Sequence, residues 1–305
     1  MIYTLTLNTA IDLNLTCERI SPDKVNRVSQ TNYSPNGKAV NVSIVLEHFG
    51  LKSVAMGIFG GFTGQYILDC LEKRGIQTLP FFIEDITRIN VFVNDKEKEY
   101  KFVGKGGHVS HLTQQAILNS VNEITDMECL IISGSLPPGI DASFLEQLLS
   151  ICTKRHIEII LDISHPDLSK LLKYKPLLIK PNNEELNEIF GLCTNPKRVI
   201  DSIETIHSLG AQNILLTMGA DGMYFSNGES IHFCNAPKIE PFSSACAGDS
   251  SLAAFLSIWL YNKQLISEAM MTASAVGADV AASAGIGSLT NYPQLKEQLI
   301  TEKIC

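Results

Sequence analysis

The chain has 305 residues, 45% of them hydrophobic, so it can bury the large core of an α/β enzyme. Its 32 acidic and 24 basic residues are scattered and give a net charge of −8, which disfavours nucleic acids and anionic membranes as partners. An anionic substrate would therefore need a local cluster of basic side chains.

The hydrophobic pattern predicts strands that alternate with helices. A strand over residues 2–8 precedes a polar stretch, and a largely apolar helix is expected over 37–49. A strand over 53–59 then leads through a glycine-rich turn into a helix that ends at Gly75. Short buried strands are predicted, in chain order, over residues 129–133, 158–163, 177–180 and 213–218, with helical segments between them. This alternation indicates a parallel sheet covered by helices on both faces.

Two segments depart from this alternation. Residues 12–33 and 88–103 resemble strands, are polar at alternate positions and are rich in charge. In an α/β protein they suit a small sheet that projects from the core. No repeat or long linker interrupts the chain, so we expect a single domain over residues 1–305, with a lid formed by about 12–35 and 88–104.

The cellular compartment is predicted from the start of the chain and from its cysteines. The first residues alternate like a strand, lack a basic leader and reach Asp12 early, so they do not form a signal peptide. The longest apolar stretches are too short or too polar for a membrane span. Eight dispersed cysteines without a C-x-x-C pair are typical of reduced thiols in a cytoplasmic protein. His108 and His111 indicate a solvated loop rather than a zinc site.

The segment 243–252, Ser-Ser-Ala-Cys-Ala-Gly-Asp-Ser-Ser-Leu, carries the strongest chemical signal. Small residues lead to Asp249, and apolar residues then follow at helical spacing, at Leu252, Phe255, Leu256, Trp259 and Leu260. The free N–H groups of such a first helical turn attract anions. A carboxylate beside them suits transfer of a phosphoryl group to a hydroxyl. These ten residues alone favour Asp249 as a helix cap, whereas the rest of the chain favours the chemical role.

Four further clusters accompany this segment. Residues 180–186 follow a strand, where open α/β sheets bind ligands; Lys180 could meet a phosphate, and Asn182 and Glu185 offer oxygens to Mg²⁺. The alternative there is a proline-initiated helix with acidic residues at its start. Residues 216–222 could form the floor of a nucleotide pocket or a simple hairpin. Taken alone, they favour the hairpin.

The other two clusters are residues 133–139, which expose a hydroxyl and backbone donors after a strand, and residues 36–41, which open a helix. In the latter, Gly37 allows close approach, Lys38 adds charge, and Asn41 can both donate and accept hydrogen bonds to sugar hydroxyls. Neither common nucleotide motif is present, because Ala39 follows Lys38 where G-x-x-x-x-G-K-[ST] needs a hydroxyl and no strand precedes a G-x-G-x-x-G.

Together these motifs resemble, in order and over nearly the whole chain, those of ribokinase-like sugar kinases of the phosphofructokinase B family. Residues 246–250 stand at its Gly-Ala-Gly-Asp-Ser, 180–186 at its Lys-Pro-Asn-x-x-Glu-Leu, and 36–41 at its Gly-Gly-Lys-Gly-x-Asn. Within this family, residues 133–139 and 87–90 resemble the corresponding segments of the branch whose members phosphorylate hexose phosphates. The resemblance implies a three-layer α/β/α sandwich with a mainly parallel sheet and a small β-sheet lid.

The resemblance also implies a role for each matching residue. Asp249 would accept the proton of the attacking hydroxyl, beside the backbone N–H groups of the turn formed by Cys246, Ala247, Gly248 and Asp249. The residues implied for ATP are Lys180, Asn182, Thr217, Gly219, Gly222 and Gly248, with Asn182 and Glu185 serving Mg²⁺. Those implied for the sugar are Asp12, Gly37, Lys38 and Asn41, and those for its phosphate are Lys24, Arg88, Lys101 and Ser135. Because arginine binds phosphate in a bidentate manner, Arg88 is the expected main anchor.

Several positions differ from the family pattern. Thr9 stands where proline is usual, and Asn36, Ala39 and Cys246 stand where glycine is usual. The loop 104–108 also differs from the form common in the branch. We expect an ordinary negative φ at Cys246, because this residue carries a β-carbon and is flanked by alanines. Because Asn36 and Ala39 replace glycine in the segment assigned to the sugar, they affect how the family's usual sugar would fit.

The expected function is ATP-dependent phosphorylation of a ketohexose phosphate, with fructose 1-phosphate, converted to fructose 1,6-bisphosphate, slightly ahead. Tagatose-6-phosphate kinase and 6-phosphofructokinase are alternatives. A catalytically weakened regulator that binds a nucleotide or sugar phosphate is the alternative of another class, although it would not need a general base. The expected cofactors are ATP and Mg²⁺, with no nucleic acid or membrane partner. Relatives pair their lids between subunits, which implies a homodimer.

Overall fold

The computed structural model describes residues 1–95, 97–193, 195 and 198–305. The strands are β1 Ile2–Thr6, β2 Ala10–Cys17, β3 Val28–Asn36, β4 Ser53–Phe59, β5 Gln77–Phe82, β6 Arg88–Asn94, β7 Glu99–Phe102, β8 Cys129–Gly134, β9 Glu158–Ile163, β10 Leu178–Ile179, β11 Ile214–Thr217, β12 Met223–Ser226, β13 Ile231–Cys234 and β14 Thr301–Lys303. The helices are α1 Lys38–His48, α2 Gly61–Lys73, α3 His111–Glu123, α4 Ala142–Lys154, α5 Leu168–Leu171, α6 Asn183–Phe190, α7 Val199–Leu209, α8 Ala247–Trp259, α9 Ile266–Ala281 and α10 Tyr292–Lys296.

The main sheet has the order β14-β13-β12-β11-β10-β9-β8-β1-β4-β5 within the described residues. Every neighbouring pair from β11 to β5 is parallel, and β12 to β14 extend one edge in antiparallel pairing. Parallel strands are reached through crossover helices, which cover the sheet and bury both of its faces. The predicted parallel sheet is confirmed.

Side chains of the central strands point alternately into two helical layers. In β8, Leu130 and Ile132 pack into a core with α3, α4 and α7, whereas Ile131 packs on the opposite face with α1, α8 and α9. This alternation follows from the two-residue period of a strand. The expected three-layer α/β/α sandwich is therefore confirmed.

A second, four-stranded sheet has the order β3-β2-β6-β7 in the described chain. Strand β2 pairs antiparallel with β3 and parallel with β6. The outer strand β3 is largely exposed until it meets α1, which begins immediately after Gly37. The small sheet predicted from about 12–35 and 88–104 is present, while its action as a lid on a single domain stays a prediction.

The predicted strand limits are close to the observed ones. Those over 53–59 and 158–163 match β4 and β9, whereas the strand predicted over 177–180 shortens to Leu178–Ile179. Pro176 and Pro181 flank this strand, and proline has no N–H to donate to a ladder. No helix in the described ranges is long and apolar enough to cross a membrane.

Candidate active site

The carboxyl ends of the central strands bring a buried carboxylate and two lysines together. Asp162, near the end of β9, accepts hydrogen bonds from Ser133 Oγ at 2.9 Å and from Lys38 Nζ at 3.3 Å. Lys180, directly after β10, places its Nζ 3.1 Å from the same Asp162 Oδ1. Lys38, near the start of α1, also lies 3.6 Å from Glu185. This edge of the sheet thus gathers two lysines, each paired with a carboxylate.

Asp162 forms ion pairs with both lysines. Burial alone would raise the pKa of Asp162, but the charges of Lys180 and Lys38 outweigh it and lower the pKa below its usual value. Burial would lower the pKa of Lys38, and Asp162, Asp249 and Glu185 together hold it above its ordinary value. Asp162 was not predicted from the sequence. A charged residue near the end of the otherwise apolar run Ile159–Ile163 is the signal that could have found it.

Helix α8 presents its amino end to this cluster. Its first hydrogen bond runs from Ser250 N to Cys246 O at 3.0 Å, so the earlier N–H groups, at residues 247–249, have no partner inside the helix. Gly248 faces Lys180 closely enough that a β-carbon on the glycine would lie 3.4 Å from Nζ. A buried ammonium and a row of backbone donors therefore meet at one point, as an anion site requires.

Asp249 is 6% exposed and accepts a hydrogen bond from Asn41 Nδ2 at 2.9 Å. Burial, helped by the negative charge of Asp162, raises the pKa of Asp249 to about 7, while Lys38, Asn41 and Lys180 oppose the rise. The N-cap of α8 is Cys246 rather than Asp249, so the capping explanation for Asp249 is wrong. A buried carboxylate that titrates near neutrality is suited to accept a proton.

Cys246 has φ +63° and ψ −10°, in the left-handed region. Our expectation of an ordinary φ was wrong, because the chain must turn sharply here to aim the following N–H groups at the strand ends. A non-glycine residue in this conformation carries strain. Burial raises the pKa of the Cys246 thiol well above its usual value, and the charges of Asp249 and Asp12 raise it further. The thiol is thus protonated and poorly nucleophilic.

A chain of amides connects Asp249 with Asp12 on the small sheet. Asp12 Oδ1 accepts from Asn90 Nδ2 at 2.9 Å and Asp12 Oδ2 accepts from Asn36. Asn41 donates from Nδ2 to Asn36 Oδ1 at 2.7 Å, as well as to Asp249. Burial raises the pKa of Asp12, against the hydrogen bonds from Asn36 and Asn90 and the charge of Arg88. The structure thus brings the predicted Asp12 and Asn41 into one network with Asp249, together with Asn90 on β6.

Gly37 allows this network to form. It has φ +141°, and a β-carbon there would lie 2.6 Å from Thr6 Cγ2. A larger residue would force α1 away from β1 and so displace Lys38 and Asn41. Gly37 therefore acts through backbone geometry.

Asn182 and Glu185 cap helix α6. Glu185 N donates to Asn182 Oδ1 at 2.7 Å, and Asn182 N donates to Glu185 Oε2 at 3.0 Å, which forms a capping box. The helix-start interpretation of these residues is confirmed. Glu185 Oε1 is turned to the lysine cluster instead, where it accepts from Ser164 and faces Lys38.

The donor set allows a magnesium ion that shares its ligands with a nucleotide. The described residues hold no group of three or more His, Cys, Asp or Glu side chains able to bind a metal by themselves. Mg²⁺ in phosphoryl-transfer sites commonly uses one or two carboxylates and takes its remaining ligands from phosphates and water. Glu185 Oε1, next to the anion site, fits that pattern.

The segment with Thr217, Gly219 and Gly222 is a hairpin beside α6. Strands β11 and β12 pair antiparallel across it, and the glycines have φ of +58° and +96°. The hairpin interpretation is confirmed, yet a β-bridge also joins Thr217 to Asn182. The three predicted nucleotide residues therefore adjoin the start of α6.

Arg88 lies with Ser135 at the other end of the site. Its guanidinium donates to Gly104 O at 2.7 Å and to Asn8 O at 3.1 Å, and its buried Nε has no partner within the described chain. Asn8 also donates to Ser135 Oγ at 3.1 Å. Asn8 was not predicted, since it ends the first strand without a motif of its own.

Two predicted phosphate contacts lie apart from this cluster. Lys101 pairs with Glu99 at 2.9 Å, and Lys24 is exposed in the loop between β2 and β3. Neither forms a hydrogen bond or ion pair with Arg88 or Ser135 in the described part of the chain. Their proposed role in binding the substrate phosphate stays a prediction.

Comparison with known proteins places this geometry in a family. Residues 4–291 match the family model for pfkB family carbohydrate kinases. The chain belongs to the pfkB family. The sequence-based identification is thereby confirmed, and so is the general activity of a sugar-phosphate kinase.

Relatives in the pfkB family cover nearly the full length of the chain. A D-tagatose-1-phosphate kinase of Klebsiella oxytoca is 48% identical over 300 residues, covering 98% of each chain. A 1-phosphofructokinase of Bacillus subtilis is 32% identical and covers 97% of each chain. Phosphofructokinase-2 from Escherichia coli, in complex with substrates and products, superposes with a TM-score of 0.90 at 27% identity, covering 97% of this chain and 98% of the other.

Proposed function

We propose that this pfkB kinase transfers the terminal phosphoryl group of ATP to the 6-hydroxyl of a ketohexose 1-phosphate, with D-tagatose 1-phosphate preferred. The name of the 48% identical relative supports this sugar over the one favoured by sequence analysis. Fructose 1-phosphate is the second candidate, because a 32% identical relative is named 1-phosphofructokinase. The product in either case is a ketohexose 1,6-bisphosphate.

The observation that carries the proposed chemistry is the setting of Asp249. This carboxylate is buried beside the amino end of α8 and has a pKa of about 7. A base with that pKa is poised to take a proton from a hydroxyl near neutral pH. Asn41 holds Asp249 Oδ2, so the other carboxylate oxygen, Oδ1, can face the attacking hydroxyl.

The neighbouring cations and N–H groups would stabilise the phosphoryl group as it moves. Lys180 lies against Gly248, so its ammonium and the free backbone donors can contact the same phosphate oxygens. Donors that are already in place before reaction are usually a large contribution to phosphoryl transfer. Asp162 would hold Lys180 and Lys38 in position through its ion pairs with both.

Glu185 and Asn182 would serve the metal–nucleotide complex. Bound Mg²⁺ would neutralise charge on the nucleotide phosphates. Glu185 Oε1 would hold its waters, and the hairpin around Thr217 would lie against the nucleotide. On the sugar side, Asp12 and Asn41 would bind ring hydroxyls, and Arg88 with Ser135 would bind the 1-phosphate.

The small sheet would cover the sugar as a lid, and its outer surface would pair two subunits. Val28, Tyr33 and Phe102 on its strands are large apolar side chains that are 46%, 53% and 61% exposed. Burial of such side chains against a second copy would stabilise a dimer.

The test is a substrate panel with ATP and Mg²⁺, in which ADP release is followed for the 1-phosphates and 6-phosphates of D-tagatose and D-fructose. We expect the highest kcat/KM for D-tagatose 1-phosphate, then D-fructose 1-phosphate, and phosphorus NMR should show a new phosphomonoester at C6. Preference for a 6-phosphate would refute the proposed substrate class. Tight binding without ADP release would favour the regulator.

A further inference from the structure

Asn36 occupies the centre of the hydrogen-bond network that joins the small sheet to the base. It is the last residue of β3 and precedes the turn into α1. Its Oδ1 accepts from Gly37 N at 2.6 Å and from Asn41 Nδ2 at 2.7 Å, and its Nδ2 donates to Asp12. One side chain thus fixes the orientation of two groups that face the proposed sugar pocket.

The hydrogen-bonding capacity of these three side chains is only partly used. Asn36 Oδ1 is saturated by its two donors, but Nδ2 has a second N–H. Asn41 Nδ2 donates hydrogen bonds to Asn36 and to Asp249, which uses both of its N–H groups. Its buried Oδ1 has no partner among the described residues. Each oxygen of Asp12 accepts one side-chain hydrogen bond, which leaves room for another.

These free positions match a diol. The remaining Asn36 donor stands beside the remaining Asp12 acceptors, because the two side chains are directly hydrogen-bonded. Two adjacent groups on one side of a ring reach a pair of neighbouring hydroxyls with the shorter separation when both hydroxyls lie on that same side. The 3- and 4-hydroxyls of a ketohexose furanose are cis in tagatose and trans in fructose.

We propose that Asn36 is a specificity-determining residue that, with Asp12, selects the cis 3,4-diol of D-tagatose 1-phosphate over the trans diol of D-fructose 1-phosphate. This inference rests on the proposed function. The Asn36 amide supplies the donor for one hydroxyl and fixes the Asn41 amide by accepting a hydrogen bond from its Nδ2. Without Asn36, Asp12 keeps only Asn90 as its amide partner and Asn41 is free to rotate.

The test compares Asn36→Gly and Asn36→Ala with the wild type by the ratio of kcat/KM for the two 1-phosphates. Both variants should lower the tagatose-to-fructose ratio by about tenfold or more, which corresponds to about 1.4 kcal/mol. The KM for ATP should change by less than about threefold. Asn32→Ala, at an exposed position on the same strand, should leave the ratio unchanged.

The ratio is independent of how much enzyme is folded, so a purely structural role for Asn36 would not move it. A ratio that stays within about twofold of the wild type, or that shifts toward D-tagatose 1-phosphate, overturns the inference while leaving the proposed function intact. A wild-type enzyme that phosphorylates neither sugar overturns the proposed function itself, and the inference with it.

Discussion

Replacing the proposed base should make the protein more stable at alkaline pH. Asp249 has a pKa of about 7 in the folded protein, against an ordinary value of 3.8. Each unit of difference corresponds to about 1.4 kcal/mol. Ionised Asp249 therefore destabilises the folded state by on the order of 4 kcal/mol at about pH 8.

The sign follows from the raised pKa. The folded protein holds this proton more tightly than the unfolded chain, so the penalty is absent below about pH 4 and complete above about pH 7. Asp249→Asn resembles the protonated carboxyl and can keep the hydrogen bond from Asn41. The variant should therefore gain stability, and this gain should be largest at high pH.

Urea unfolding of wild type and Asp249→Asn at about pH 5 and pH 8 measures this difference. We expect a gain of about 3 kcal/mol at pH 8 and less than half of that at pH 5. Asp279→Asn is the matched control, because Asp279 is equally buried but accepts hydrogen bonds from the backbone of Asn291 and Tyr292. This control should lose stability at both pH values. An Asp249→Asn protein that is less stable than wild type at pH 8 would refute the reasoning.

Three further substitutions test separate parts of the site. Burial is the main cause of the raised pKa of Asp249, and Asp162→Asn removes the negative charge that adds to it. The rising limb of the pH profile of kcat/KM should therefore move to lower pH by about one unit. A limb that does not move would mean that another group controls it. Cys246→Gly relieves a left-handed residue and should be about 1 kcal/mol more stable in urea than Cys246→Ala, which keeps the β-carbon, whereas equal stabilities would show that the turn is unstrained. Arg88→Ala should raise KM for the sugar phosphate about 10- to 100-fold with little change for ATP; an equal effect on both would assign Arg88 to the support of loop 104–108 through Gly104.

The fold could be predicted because its signals are local. Buried parallel strands such as β9 appear as short apolar runs, and the start of α8 appears where small residues give way to helical spacing. The prolines on either side of β10 made this strand shorter than predicted but did not change the architecture. The order of these elements, together with the motifs, was enough for the three layers and the second sheet.

Site residues could be predicted only where they belong to a recognisable sequence motif. Asp249, Lys180 and Asn41 lie in recognisable segments, and the structure brings them together. Asp162 could not be recognised in the same way, because its importance arises from two lysines on other elements that meet it only in the folded sheet. The backbone conformation of Cys246 was also hidden, since φ is set by the path of the chain around it.

The central claim is that Asp249 is the base for phosphoryl transfer, and single-turnover kinetics of Asp249→Asn test it most directly. With saturating ATP, Mg²⁺ and D-tagatose 1-phosphate, we predict that the rate of the chemical step falls at least ~10²-fold. The dissociation constant for ATP should stay within about threefold, because the lysines and backbone donors of the anion site remain. A variant that transfers the phosphoryl group at close to the wild-type rate would contradict this account.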